Sequence, residues 1–193
     1  MSTQAYYTSD EISDFISHVN QAEGMGVIGY DGGDFYGIAP YFSCYVLFEE
    51  EQAHHLIKKF IQLFQQFSEI KNEPWTWFSD IYYERMIPAD KFSLSTLEQD
   101  ALSLFDKDGY LTFNASTSID SEYSSAVWGL EFKISFRPEM RYACFKVNYR
   151  HAWYKANVEN QKTWHQYMLD CLTILQPMHA YSGFEIATAP LGV

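Results

Sequence analysis

Only a few residues in this chain have types and spacing that could do chemistry. Glu51, His54 and His55 fall within one helical turn, so Glu51 and one histidine could face the same way. Zinc needs three or four ligands, and neither an HExxH pattern nor a cysteine pair supplies the rest. Adjacent histidines point about 100° apart on a helix, so both cannot serve one ion. They read as solvated helix residues, and no metal is expected. Asp106-Lys107-Asp108-Gly109 opens like a calcium loop, but the twelfth position is Thr117, which has no carboxylate. An Asp/Gly turn accounts for it.

Gly32-Gly33-Asp34-Phe35 carries part of a nucleotide-cyclase signature without the Glu that follows Asp in the active motif, and it too reads as a turn. The chain has no glycine-rich phosphate loop, no GxSxG elbow and no recognisable Cys/His nucleophile motif. Catalysis is not expected, and neither is a cofactor. Asn114-Ala115-Ser116 matches a glycosylation sequon and is read as a chance match.

Charge says more. Net charge is −12, and the first Lys or Arg is Lys58, behind nine carboxylates. Residues 129–193, by contrast, carry five acids and seven bases. An acidic surface repels phosphates, so nucleic acid is a poor partner, whereas a basic protein would be drawn in faster. No apolar run approaches the roughly 18 to 20 residues that cross a bilayer. Met1 to Asp10 has no Lys, Arg or apolar core of a secretion signal. Cys44, Cys144 and Cys171 lie far apart without a CxxC and read as reduced thiols. A soluble, cytoplasmic protein is expected. The 15 Phe, 15 Tyr and 5 Trp are ample material for a core, with some rings left over as surface contacts.

The elements that must position these residues follow from periodicity. Thr8 and Glu11 form a capping box ahead of Ile12, Phe15, Ile16 and Val19, which predicts a helix ended by Gly24 and Gly26. Strands are expected at Val27–Tyr30 and Tyr41–Phe48. The longest helical stripe joins Ala53, Leu56, Ile57, Phe60, Ile61, Phe64 and Phe67, with Glu49, Glu50 and Glu51 at the positive end of its dipole. Residues 74–92 show no clean period and read as irregular, with one short strand at most. Ser95 and Glu98 suggest a second capping box before a helix buried through Leu97, Ala101, Leu104 and Phe105. Trp128, Leu130, Phe132, Ile134 and Phe136 alternate with small, polar or charged residues, the pattern of a half-buried strand. Further strands are expected at Tyr110–Ala115, Arg141–Tyr149 and Ala180–Ala187, and a helix at Val158–Leu175. The sum is a single α+β domain over residues 1–193, an antiparallel sheet packed against several amphipathic helices. Tyr41–Val46 echoes Tyr142–Val147, so two similar ββα halves are a further possibility.

The ending Leu175-Gln176-Pro177-Met178-His179-Ala180-Tyr181-Ser182-Gly183-Phe184, the Trp164-bearing helix, Trp75-x-Trp77 after a long helix, and Tyr110-Leu111-Thr112-Phe113 resemble the bacterial type VI secretion immunity family. The resemblance implies a protein that binds and neutralises a co-encoded toxic effector, its one expected partner. An acidic binder would suit a basic toxin such as a nuclease. The competing reading is a small-ligand-binding protein or enzyme with an aromatic-lined pocket. For partner contact, Asp31, Asp34, Asp80 and Glu84 are the expected steering charges. Tyr30, Tyr36, Trp75, Tyr82 and Tyr83 are the expected anchors.

Overall fold

The helix over Ala53–Ile70 (α1) organises the molecule, and its apolar stripe is buried along its whole length. A 3-10 turn at Glu50–Gln52 leads into it, and the Gln52 side chain accepts from the Glu49 N–H at 2.9 Å. The computed structural model describes residues 35–71, 73–82, 85–117, 128–137 and 140–187, with Val27–Ile28, Asp10 and Ser13 ahead of them. At 27–28, 35–39, 140 and 184–187 the description is of backbone alone. Of the expected helix after Thr8, Asp10 and Ser13 are described and both are helical, while its apolar stripe lies outside the described residues.

Among the described residues eight strands form one antiparallel sheet: β1 Val27–Ile28, β2 Phe35–Val46, β3 Trp77–Asp80, β4 Arg85–Pro88, β5 Tyr110–Ser116, β6 Gly129–Arg137, β7 Met140–Asn148 and β8 His179–Ala187. β2 is flanked by β7 on one side and β8 on the other, and β6, β5, β3 and β4 follow beyond β7. Among the described residues three more helices follow: α2 Leu97–Asp108, α3 His151–Ala156 and α4 Val158–Leu175.

The helices lie on one face of the sheet. Phe42, Cys44 and Val46 of β2, Ala143, Phe145 and Val147 of β7, and Leu130, Phe132 and Ile134 of β6 all point into the shared core. The Phe60 ring of α1 sits 5.5 Å from both Phe132 and Phe145. Each ring buried this way contributes about 1.5–3 kcal/mol. α4 is tied to α1 by Tyr167, whose hydroxyl donates to the Leu63 carbonyl at 3.1 Å.

The echo between Tyr41–Val46 and Tyr142–Val147 has a physical reason. The two segments are antiparallel partners, with Phe42 opposite Val147 and Val46 opposite Ala143. Both must bury their second, fourth and sixth residues under the same helices. In each half a strand pair leads towards a long helix, β1–β2 to α1 and β6–β7 to α4.

Several local expectations are corrected. Residues 74–92 contain a β3–β4 hairpin and a 3-10 turn at Ala89–Lys91, not an irregular run. The second capping box does not form: Thr96 occupies the N-cap of α2 without a side-chain cap bond. Asp106–Asp108 are helical, and the turn is Gly109 alone, in the left-handed region at φ 62, where glycine carries no Cβ penalty. α3 was not anticipated. Asn114 is buried in β5, its N–H bonded to Ser79 Oγ at 2.7 Å, so the sequon is inside the sheet.

Candidate partner-binding face

Because side chains alternate along a strand, burying one set of residues under the helices sends the intervening set to the opposite face. That set is unusual. Lys133, Cys144, Tyr45 and His179 stand side by side across β6, β7, β2 and β8. The next row is Glu131, Lys146, Ser43 and Tyr181, and the one after it Gly129, Asn148, Tyr41 and Gly183. Tyr142 and Tyr110 extend the face on either side of Ser135. Five tyrosines therefore share one side of the sheet.

The rings hold one another and the cations beside them. Tyr45 and Tyr181 meet edge to face at 5.9 Å, and His179 lies 6.1 Å from Tyr181. Lys146 Nζ is 5.7 Å from the Tyr41 ring and Arg137 sits 4.8 Å over Tyr110. Tyr41 in turn covers Gly183, where a Cβ would come within 3.4 Å of the ring. Lys133 is ion-paired with Glu131. Burial works against the Lys133 charge, but Glu131 outweighs it and holds the ammonium above its ordinary value. The Tyr45 hydroxyl is raised, first by the neighbouring Cys144 and then by burial, and Tyr142 is raised chiefly by burial. Both remain neutral hydroxyls, able to donate and accept.

One corner of this face opens into a groove of about 410 Å³. Its walls are Tyr45, Tyr142, His179 and Tyr181, with Leu47 and Met178 at the rim. Leu47 is 64% exposed, Met178 61%, Tyr181 52% and Tyr45 40%, although each is large and apolar. Local sequence sets this geometry. Buried Leu175 ends α4, Gln176 turns the chain in the left-handed region, and Pro177 prevents the helix continuing. Met178 is then pinned to the groove by its N–H, which donates to the Tyr45 carbonyl at 2.9 Å. Among the described residues no strand pairs with the outer edge of β8.

The residues singled out from sequence lie elsewhere. Trp75 is turned inward, its ring 6.0 Å from Phe64 and from Phe67 and its Nε1 donating to Ser68 Oγ at 2.8 Å. Asp80 and Tyr82 come together at the β3–β4 turn. There Asp80 accepts from the Tyr82 N–H at 3.1 Å and faces Arg85 at 3.6 Å, and the Tyr82 hydroxyl reaches Asp100 at 3.2 Å. The Tyr36 backbone pairs with Val27 in β1–β2. Tyr30, Asp31, Asp34, Tyr83 and Glu84 lie outside the described residues. The groove residues were not singled out, although Met178, His179 and Tyr181 belong to the stretch that carried the family resemblance.

Other chemistry is limited. His54 Nε2 lies 2.5 Å from Asp106 Oδ1, which links α1 to α2. Among the described residues no group of three or more His, Cys, Asp or Glu is placed to hold a metal ion. No described helix is long and apolar enough to cross a membrane.

No family model matches the chain, and no curated protein matches it in sequence. Among solved structures, the toxic C-terminal tip of CdiA from Pseudomonas aeruginosa in complex with an immune protein superposes loosely. Its TM-score is 0.39 at 12% identity, over 77% of this chain and 87% of that one, too low to bear on the fold. The Pseudomonas aeruginosa T6SS protein PA0821 is far more similar, with a TM-score of 0.71 over 94% of this chain at 13% identity. This chain spans about half of that structure, 51% of its length. At that identity the likeness establishes a shared fold, the antiparallel sheet with helices on one face.

Proposed function

We propose that this chain is an immunity protein that binds and neutralises a co-encoded toxic effector of a type VI secretion system, acting in the cytoplasm without catalysis. The observation that carries this reading is the fold shared with a T6SS protein over 94% of the chain. The surface suits the task. A stoichiometric inhibitor needs a stable scaffold and a complementary contact area, and here a continuous aromatic core supports exposed rings and charges. Two places are candidates for that contact, the hairpin turn with Asp80 and Tyr82 and the tyrosine face with its groove.

The test is co-expression with the toxin gene encoded beside this one. Cells should survive when both are made, and the two proteins should co-purify at one to one. Death of cells that hold abundant, folded protein of this sequence would refute the immunity reading.

A further inference from the structure

We infer that β8 takes up an extended segment of the effector as a further strand along its outer edge. This rests on the immunity reading and adds to it where contact occurs and what form the partner takes there.

Register shows which groups β8 offers. The Pro40 carbonyl of β2 accepts from the Tyr149 N–H at 3.1 Å, on the β7 side, and the Tyr45 carbonyl accepts from the Met178 N–H at 2.9 Å, on the β8 side. Backbone groups alternate in direction along an antiparallel strand, so Tyr41, Ser43 and Tyr45 all turn theirs towards β8. Their partners there are Gly183, Tyr181 and His179. The intervening Ala180, Ser182, Phe184 and Ile186 direct their N–H and C=O away from β2. Among the described residues no strand pairs with them. A row of donors and acceptors at this spacing is matched by another strand and poorly by a helix or a loop. The edge therefore defines its occupant as extended chain.

The two ends of the sheet differ. β4 is four residues long and carries Arg85 and Pro88, a charge and a residue with no N–H, which discourage pairing. β8 is nine residues long, without Lys, Arg or Pro, and Glu185 is its one carboxylate. His179 and Tyr181 lie on the tyrosine face and Ala180 and Ser182 on the helix side, and all four are exposed. An incoming strand can approach this end of β8 from either face.

The edge is also fixed in advance. Ser182 Oγ donates to the Tyr41 carbonyl at 3.0 Å, and the Tyr181 ring meets Tyr45 at 5.9 Å. A template held this way costs little to order on binding. Every second side chain of an added strand falls on the tyrosine face beside His179 and Tyr181. Backbone bonds then supply affinity and the rings supply selection. A second copy of this chain offers the same edge, but two bodies of net charge −12 repel one another, which favours the effector as the source of the strand.

Amide exchange, read residue by residue by NMR, tests the edge in the whole chain, alone and with the purified toxin domain encoded beside this gene. Alone, the outward N–H groups of Ala180, Ser182, Phe184 and Ile186 should exchange about tenfold or more faster than the inward ones of Tyr181 and Gly183. The toxin should slow the outward set about tenfold or more. Ala180→Pro removes one outward N–H at an edge, where proline is tolerated, and should weaken binding about tenfold or more. Ala180→Val keeps the N–H and should bind within about threefold of wild type, as should Asp80→Lys with Tyr82→Ala. Should Ala180→Pro fail to fold, the exchange pattern of the wild-type complex decides alone.

Slow exchange of the outward amides in the toxin-free protein would mean that the edge is already covered, and the inference fails. If the toxin binds and these amides stay fast, or Ala180→Pro binds as tightly as wild type, the docking site is wrong while the immunity reading stands. If the toxin does not bind wild type at all, the immunity reading falls and this inference with it. A dimer of the toxin-free chain, seen by light scattering and split by Ala180→Pro, would make the edge an interface between copies and would also overturn it.

Discussion

The β3–β4 hairpin region and the tyrosine face both place rings beside charges, and they commit them differently. Around the hairpin almost every group is answered inside the fold. Trp75 packs on Phe64 and Phe67, and Phe78 lies 4.6 Å from Phe92 and 6.1 Å from Phe113. Asp80 faces Arg85, and Tyr82 reaches Asp100. On the tyrosine face the rings meet mainly one another and neighbouring cations, and their far sides reach water. A cluster of aromatic and charged residues is therefore ambiguous in sequence. What separates packed scaffold from open surface is whether the fold has already used the ring faces and polar atoms.

The largest expected difference between the two regions is in stability. Trp75→Ala removes a ring packed on three core phenylalanines together with the hydrogen bond to Ser68, and should cost about 3 kcal/mol. Tyr181→Ala should cost about 0.5 kcal/mol or less, as exposed truncations do. Urea midpoints compare them directly, and equal losses would erase the distinction. A smaller pair repeats the test with hydroxyls. Ser79→Ala strands the buried Asn114 N–H and should cost about 1–2 kcal/mol. Ser182 is exposed and donates to the Tyr41 carbonyl at 3.0 Å, and its loss should cost about 0.5 kcal/mol.

Long elements were legible in the sequence and the face was not. The stripe from Ala53 to Phe67 and the alternation from Trp128 to Phe136 each repeat over enough residues to fix helix and strand. β3 and β4 span four residues each, too few for a period to emerge among Trp77, Phe78 and Ile87. α3 is six residues long and follows β7 almost without a break. The tyrosine face is a product of register. Tyr41, Tyr45, Tyr142 and Tyr181 lie up to 140 positions apart, and only pairing of β2 with both β7 and β8 brings them together. Carboxylates crowd the first third of the chain, while the described cations of the tyrosine face are dispersed in sequence over β6 and β7.

Lysines sharpen the comparison through opposite responses to pH. Lys71 lies near Trp75, its Nζ 4.2 Å from the ring centre, and it donates to the Glu73 carbonyl. Burial pushes it down from 10.5 to about 8, with Glu73 opposing. Between about 8 and 10.5 the unfolded chain therefore holds a proton at this site that the folded protein has released. Stability contributed by the site rises with pH across that window, and below it the burial penalty is felt in full. Lys133 is raised by Glu131 despite burial, so its contribution is complete below its unfolded value and is lost as pH climbs through the folded one. Urea unfolding from pH 7.5 to 11 should show Lys71→Met flattening a rise of about 1 kcal/mol. Lys133→Met should flatten a fall at the alkaline end. The same sign for both would mean that the two sites do not differ as their surroundings imply.

The smallest effect on stability, and the finest test of how open the tyrosine face is, comes from the cysteines. All three thiols are free and buried. Burial is the main cause that pushes Cys44 up to about 12 and Cys144 up to about 11, and Cys171 is raised too. The reactive thiolate is scarce in each at pH 8, so iodoacetamide should label the folded protein slowly and the unfolded chain fast. Cys44 and Cys171 belong to the core under the helices, whereas Cys144 stands on the tyrosine face directly across from Tyr45. Tyr45→Ala should uncover Cys144 and speed its labelling about tenfold, on the strength of access alone. The substitution also removes a Tyr45 hydrogen bond that favours the thiolate, so a change in acidity would act the other way. Cys44 and Cys171 should label at wild-type rates, and the urea midpoint should shift by about 0.5 kcal/mol or less, read by mass spectrometry of tryptic peptides beside an unfolding curve. If all three thiols accelerate together, reaction runs through global opening. Tyr45 would then be part of the packed scaffold, as Trp75 is, and not a cover on a surface ready for a partner.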